Sequence, residues 1–490
     1  MKNFIIITTL LSFVLYGSAQ SVNFNQIKLS SKTAVFNVKT YGAVGDSIAM
    51  DTKAIQLAID ACNKAGGGKV WVPAGEYIIG TIKLKSNVTL SLDYGAYLLG
   101  SENIADYDTD LIEAREGNVH CLIYAENAQN VRIEGLGVID GRGTPQSFPR
   151  ERGRPRPRLI RMVNIDKLTF SGVTYKRPAF WGIHIIDSKN VHFNGVTVRF
   201  RNNGYNNDGL DIDGCENVLI ENCDIEAGDD AICLKSSLHP CRNFVVKNCK
   251  VASGTAALKF GTSSYGGFLD VKVTDCYFYD SPMGAIKLQL VDGGKLENVD
   301  ISRITMKNVG NPIFIRLGNR GRTYEKTIVQ KFKADVQPEG RPVGTLKNIR
   351  ISDVVAEVTF EDREQAAMAA YKASDKKDIL ELSGEITDME KSKAGPIMIA
   401  GIPGHYVENV VLENISISYP GGGTENDSKN YVPEDIARYP EQFFFGVLPA
   451  WGAYIRHAKN VQFTNVKMEA RSEDKREMIV LDDVEGFINK

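Results

Sequence analysis

From Asn87 onward one phrase of apolar and polar positions keeps returning: an asparagine, then apolar, any, apolar, two residues, apolar, any, apolar. It reads Val131/Ile133/Leu136/Val138, then Leu168/Phe170/Val173/Tyr175 with Lys167 in the asparagine's place, then Val191/Phe193/Val196/Val198. It continues through Val218/Ile220/Cys223/Ile225, Phe244/Val246/Cys249/Val251, Val271/Val273/Cys276/Phe278 and Val299/Ile301/Ile304/Met306. Late copies are Ile349/Ile351/Val354/Ala356, Val410/Leu412/Ile415/Ile417 and Val461/Phe463/Val466/Met468. A period of two marks a strand with one buried face, and the two-residue break marks a turn between short strands. Between Val191 and Val299 the copies stand 26 to 28 residues apart, so each is one coil of a stacked body. A third short strand per coil aligns Gly182-Ile183-His184-Ile185, Gly209-Leu210-Asp211-Ile212, Ala231-Ile232-Cys233-Leu234, Ala257-Leu258-Lys259-Phe260 and Ala285-Ile286-Lys287-Leu288. The pattern predicts an all-β chain, a parallel β-solenoid with right-handed crossovers.

The pattern breaks in three places. Near the start, Asp51 or Thr52 can cap a helix whose Ile55, Ala58, Ile59 and Cys62 share one face, and Gly66-Gly67-Gly68 stops it. Such a helix shields the open end of a stacked-strand body, and the strands Lys69–Val72 and Thr81–Leu84 follow. Residues 35–110 are therefore read as the N-terminal cap and first coils of a single domain spanning 35–490. The gaps before Ile349, Val410 and Val461 hold either an extra coil or inserted loops. Residues 361–393, charged and alanine-rich, read as a helical insertion, and 419–445, rich in glycine, proline and aromatics, as a long loop.

Composition narrows the function. The 58 basic and 60 acidic residues nearly cancel, which leaves no global field for nucleic acid. Residues 1–19 combine Lys2, an apolar run from Phe4 to Leu15 and a small-residue end at Gly17-Ser18-Ala19, the build of a cleavable export signal. That run falls short of the ~20 apolar residues of a membrane span, so a periplasmic or extracellular monomer is expected. Eight cysteines in an exported chain invite disulfides, yet Cys223, Cys249 and Cys276 recur at one repeat position. They read as a ladder of buried thiols.

The candidate chemistry lies in Asn206–Ser237. Asp208 precedes the pair Asp229-Asp230 by 21 and 22 positions, about one coil. Stacking at the ~4.8 Å strand spacing makes the three acids neighbours. Carboxylates so close cannot all ionise freely: one pKa rises and that group can donate a proton while the others stay anionic. Cleaving a glycosidic bond needs that asymmetry. Adjacent residues on a flat strand point apart, so Asp229 and Asp230 converge only if the backbone bends, which Gly228 permits. On the third strand the apolar members face inward, so His184, Asp211, Cys233, Lys259 and Lys287 are expected outside, with Asp213, Lys235 and Gln289 two residues further along. Arg316 is expected to join the row. A lone surface lysine is ordinarily solvated and a lone histidine ordinarily structural; the acids beside them make these residues candidates for binding an anionic sugar. Asp211 and Asp213 also suit a supporting role at the Asp208 turn.

These residues resemble the polygalacturonase family of glycoside hydrolases, family 28, most specifically in NNDGLDIDG followed by GDDAICLKSS. The likeness extends from NVKTYGAVGD and VPAGEY to YPEQFFFGVLPAWGAYIRHAKNV. It implies a right-handed, pectin-lyase-like parallel β-helix that hydrolyses α-linked galacturonate chains with inversion and without metal or other cofactor. Carried across, Asp229 becomes the general acid, and Asp208 with Asp230 would position the attacking water. Two departures stand out. Gly254-Thr255-Ala256 replaces the family's Gly-His-Gly, and Lys287-Leu288-Gln289 replaces Arg-x-Lys. An arginine fork grips a carboxylate at two points, whereas a lysine is a single charge and a glutamine none. A galacturonate-containing or related acidic polysaccharide is thus the expected partner. The alternatives are a sugar-binding solenoid without turnover and a calcium-dependent lyase, since clustered carboxylates also suit Ca2+.

Overall fold

The structure, a computed structural model, describes residues 34–112, 116–151, 153–201, 206–322, 342–359 and 395–490. The export signal read at 1–19 and the helical insertion read at 361–393 lie outside these residues. The described chain winds into a right-handed parallel β-helix. Each repeat position pairs with its counterpart one coil on: Val191 with Val218, Val218 with Phe244, Phe244 with Val271 and Val271 with Val299. The register then runs unbroken from Val299 to Ile349, Val410 and Val461. Among the described residues, Val299, Ile349, Val410 and Val461 therefore stand on successive coils despite their wider spacing in sequence.

Why the phrase opens on asparagine is visible at the turn. Asn190, Asn217, Asn243, Asn298, Asn348, Asn409 and Asn460 all take the left-handed conformation, with φ between 55° and 62°. Asparagine tolerates that region better than other residues with a Cβ. The side chains stack into a ladder, with Asn217 Nδ2 donating to Asn190 Oδ1 at 3.3 Å and Asn243 Nδ2 to Asn217 Oδ1 at 3.0 Å. Similar bonds link Asn348, Asn409 and Asn460 at 3.0 to 3.1 Å. The second turn of the phrase repeats the device, with Asn222 bonded to Asn194 and Asn465 to Asn414, each at 3.0 Å.

Inside the coils the apolar rows merge into one continuous core, with Phe170 stacked on Phe193 at 4.5 Å. All eight cysteines are buried and none is in a disulfide. One repeat departs from the predicted phase: Leu136, between Gly135 and Gly137, points to solvent, and Ile139 rather than Val138 enters the core. The glycines flanking Leu136 tighten the turn and shift the strand by one residue.

The helix forms over Thr52–Lys64 and seals the N-terminal end with Ile55, Ala58, Ile59 and Cys62, all fully buried. Asp51 precedes it, yet its carboxylate accepts from the backbone N–H groups of Val44 (2.7 Å) and Gly45 (3.0 Å), tying down the preceding loop. Only Ile82–Lys83 of the predicted strand 81–84 pairs as a strand. Beyond Tyr419 the predicted long loop contains two short 3-10 turns, Asp427–Lys429 and Gln442–Phe445. It is pinned where Val432, Phe445 and Leu448 pack on Phe314, Met398 and Tyr454. Among the described residues no helix is long and apolar enough to cross a membrane.

Candidate active site

Asp208 and Asp230 are rungs of one ladder. The backbone N–H of Gly182 donates to Asp208 O (2.9 Å), that of Gly209 to Asp230 O (2.8 Å), and that of Ala231 to Ala256 O (2.9 Å). Just ahead of Asp230, the N–H groups of Gly228 and Asp229 both converge on Asn207 O, at 3.0 and 3.3 Å. This local bend brings both carboxylates of the pair to one side. Glycine is needed here for close approach: a Cβ at Gly254 would lie 2.1 Å from the carbonyl oxygen of Gly228. Carboxylate oxygens of Asp208, Asp229 and Asp230 all lie within 4.8 Å of one another.

The trio is surrounded unevenly. Asp230 is paired with Lys259 (2.9 Å), a buried lysine that also bonds Glu441 (3.1 Å) and the Tyr439 hydroxyl (3.3 Å). Thr255 stands where the sequence lacks the expected histidine, with its hydroxyl 3.1 Å from Asp229 Oδ1 and 2.8 Å from Asp230 Oδ1. Asn206 Nδ2 approaches the other oxygen of Asp229 at 3.4 Å, and its own Oδ1 accepts from Arg156 at 2.9 Å.

Charge and burial push the three acids apart. Burial raises the Asp208 carboxyl well above the carboxylate range, helped by the negative Asp211 and Asp229. Burial, then Asp230, raises Asp229 against the opposing pull of Lys259 and the Thr255 hydroxyl. Burial works against Asp230 too, but Lys259, Lys287 and Lys235 outweigh it and hold that carboxyl below its usual value. One firm anion therefore sits beside two acids that tend to keep a proton, and neighbours this close titrate as a set. That is the pairing a proton donor and a base require.

The other expected residues divide into two groups. Asp211 is fully buried, with Lys235 at 3.4 Å, and burial carries its carboxyl up to about 7 against the pull of that lysine. Lys235 also reaches Glu116 (3.8 Å) and sits over the Trp181 ring (4.3 Å), which meets His184 edge-on at 5.0 Å. Asp213 accepts from the backbone N–H of Ser237 at 2.8 Å, a supporting contact. Lys259, Lys287, Gln289 and Arg316 do form the expected row, in register across Lys259–Lys287 and Gln289–Arg316. The row does not face open solvent. Lys287 is bonded to Glu441, Gln289 Nε2 to Pro440 O (2.6 Å), and Arg316 to Glu434 O (2.6 Å), Asp435 O (3.0 Å) and Gly401 O (2.8 Å). The loop after Tyr419 has claimed them. In the sequence Thr255 is marked only as a departure at Gly254-Thr255-Ala256, one coil from the acids. Glu116, Tyr439 and Glu441 have no signal of their own, because each depends on a contact between segments far apart in the chain.

A β-helix whose outer wall converges three carboxylates of unequal proton affinity defines a β-helical glycosidase. The chain belongs to glycosyl hydrolases family 28, whose profile matches residues 62–331. It is 29% identical to a probable polygalacturonase of Vitis vinifera over 65% of this chain and 67% of that relative. It is 26% identical to an exo-poly-alpha-D-galacturonosidase of Dickeya chrysanthemi over 61% of this chain and 60% of that relative's length. Among solved structures, the family 28 exopolygalacturonase of Yersinia enterocolitica superposes with a TM-score of 0.67 at 21% identity, covering 94% of this chain and 79% of that one.

Proposed function

We propose that this chain is an exported hydrolase of glycosidic bonds in a galacturonate-containing or related acidic polysaccharide, acting with inversion. Asp229 is the general acid that protonates the departing oxygen. Asp208 and Asp230 hold the attacking water, and Asp230, kept ionised by Lys259, takes up its proton as the new C–O bond forms and the old one breaks. The observation that carries this reading is the convergence of three carboxylates with opposed proton affinities on one bend of the wall. The names of the relatives from Vitis vinifera and Dickeya chrysanthemi support the substrate class. A calcium-dependent lyase fits less well, because Lys259 already supplies the counter-charge to Asp230 at 2.9 Å.

The test is hydrolysis of defined galacturonan and rhamnogalacturonan oligosaccharides, followed by reducing ends and by the anomer first released. Wild type should cleave at least one substrate, giving a first product of inverted configuration. Asp229→Asn should lose about 10²–10⁴-fold or more in kcat, the usual worth of a positioned acid, with its fold intact. Equal inactivity of both proteins across the panel, or a chelator-sensitive unsaturated product, refutes the proposal.

A further inference from the structure

The two lysines next to the acids form a cleft built for a carboxylate. Lys259 and Lys287 are register partners on adjacent coils, and both ammonium groups are buried. Two buried cations this close need an anion between them. The protein supplies it: Glu441 extends one oxygen to Lys259 (3.1 Å) and the other to Lys287, and its side chain is itself only 4% exposed. Gln289 is spent on Pro440 O, one residue earlier. Nor is Glu441 on a free arm. Arg316 bonds the backbone at Glu434 and Asp435, Gln442 Nε2 reaches Pro396 O at 3.4 Å, and Phe445 packs against Phe314. What this flank presents outward is Tyr439, 42% exposed, with its hydroxyl on Lys259. A tyrosine ring suits the apolar face of a sugar.

We propose that Glu441 is a specificity-determining residue: as a resident carboxylate in the Lys259–Lys287 cleft it removes the binding place for a uronate there, so the sugar on this flank of the acids is a neutral one lying on Tyr439. The inference rests on the hydrolase reading for its substrate and adds that the cleaved bond has an uncharged sugar on one side.

Two measurements separate this inference from that reading. The first needs no turnover. Thermal melts of wild type, Glu441→Gln and Glu441→Ala are compared in sodium acetate, sodium galacturonate and equal-strength sodium chloride. Glu441→Ala empties the cleft and should gain saturable stabilisation by acetate over chloride, while wild type gains none from acetate. Galacturonate, which wild type can hold on the other side of the acids, should stabilise the variant more than wild type. Should the variant fold only when an anion is present, acetate-dependent refolding over chloride reads the same quantity. The second compares kcat/KM on oligogalacturonate and on oligosaccharides with one neutral sugar beside the scissile bond. Wild type should favour the latter by about tenfold or more, and Glu441→Gln should narrow that ratio. No anion gain in the variant, or a wild-type preference for all-uronate substrate left unchanged by Glu441→Gln, overturns the proposal. Inactivity on every substrate would sink the hydrolase reading while leaving the anion result to stand or fall by itself.

Discussion

Lys259 sets the charge of the Asp229–Asp230 pair. Its ammonium lies 2.9 Å from Asp230 and is the strongest single influence lowering that carboxyl against burial. It also opposes the rise of Asp229. Removing it should move both acids the same way, toward higher pKa. With Asp230 as the proposed base, Lys259→Met is expected to shift the acidic limb of the kcat/KM profile to higher pH, because that base must lose its proton before it can act. Because the loss of Lys259 also raises Asp229, the basic limb should move up as well, and a pH–rate profile measures both. A fall in rate with both limbs unmoved would show that Lys259 merely supports the loop. Thr255 illustrates how far a residue's neighbourhood outweighs its type. A hydroxyl with one proton stands between two carboxylates, where it can donate to one and accept from the other once that one is protonated.

At the scale of the element, the repeating asparagine does two things: it allows the left-handed turn and it bonds to the coil on either side. Asn217 has φ 58° and bonds to both Asn190 and Asn243. Asn217→Ala should cost about 2–3 kcal/mol, combining ~1–2 for a Cβ in the left-handed region with ~1 for lost hydrogen bonding. Asn217→Gly, free of the first cost, should lose about half as much. Chemical denaturation of the two variants checks the order; an alanine variant as stable as the glycine one would mean that backbone strain plays no part. The strand Ala256–Ser264 and the loop it faces teach a complementary lesson. Period-two alternation correctly set Lys259 and Lys287 on the outer side, yet outside the coil is not the same as exposed. The loop after Tyr419 lies over that side and turns a predicted binding strip into a buried salt-bridged seam.

Across the whole molecule, the coils share one core, so its ends are its weak points. A stacked body exposes backbone pairing groups and apolar side chains wherever stacking stops. The helix Thr52–Lys64 closes the first end with four fully buried side chains. Ile59→Asp places an unpaired charge there and should destabilise by about 3 kcal/mol or more. The variant is expected to associate or aggregate on size-exclusion chromatography. A monodisperse, fully active Ile59→Asp protein would show that the cap is dispensable.

Local pattern alone determined the coil, its parallel stacking, the buried thiol row and the acid trio. In a solenoid each coil meets the one a fixed number of residues away, so spacing along the chain translates directly into neighbours in space. Asp208 and Asp230 could be placed on one ladder for that reason. Tertiary structure alone decided who stands opposite them. Glu441 lies 182 residues from Lys259 and Glu116 lies 147 from Ser263, brought there by loops that obey no period. Burial, which the strand alternation does not encode, raises Asp229 and works against Asp230, whose charge Lys259 holds in place, while Glu441 from one of those loops closes the lysine cleft.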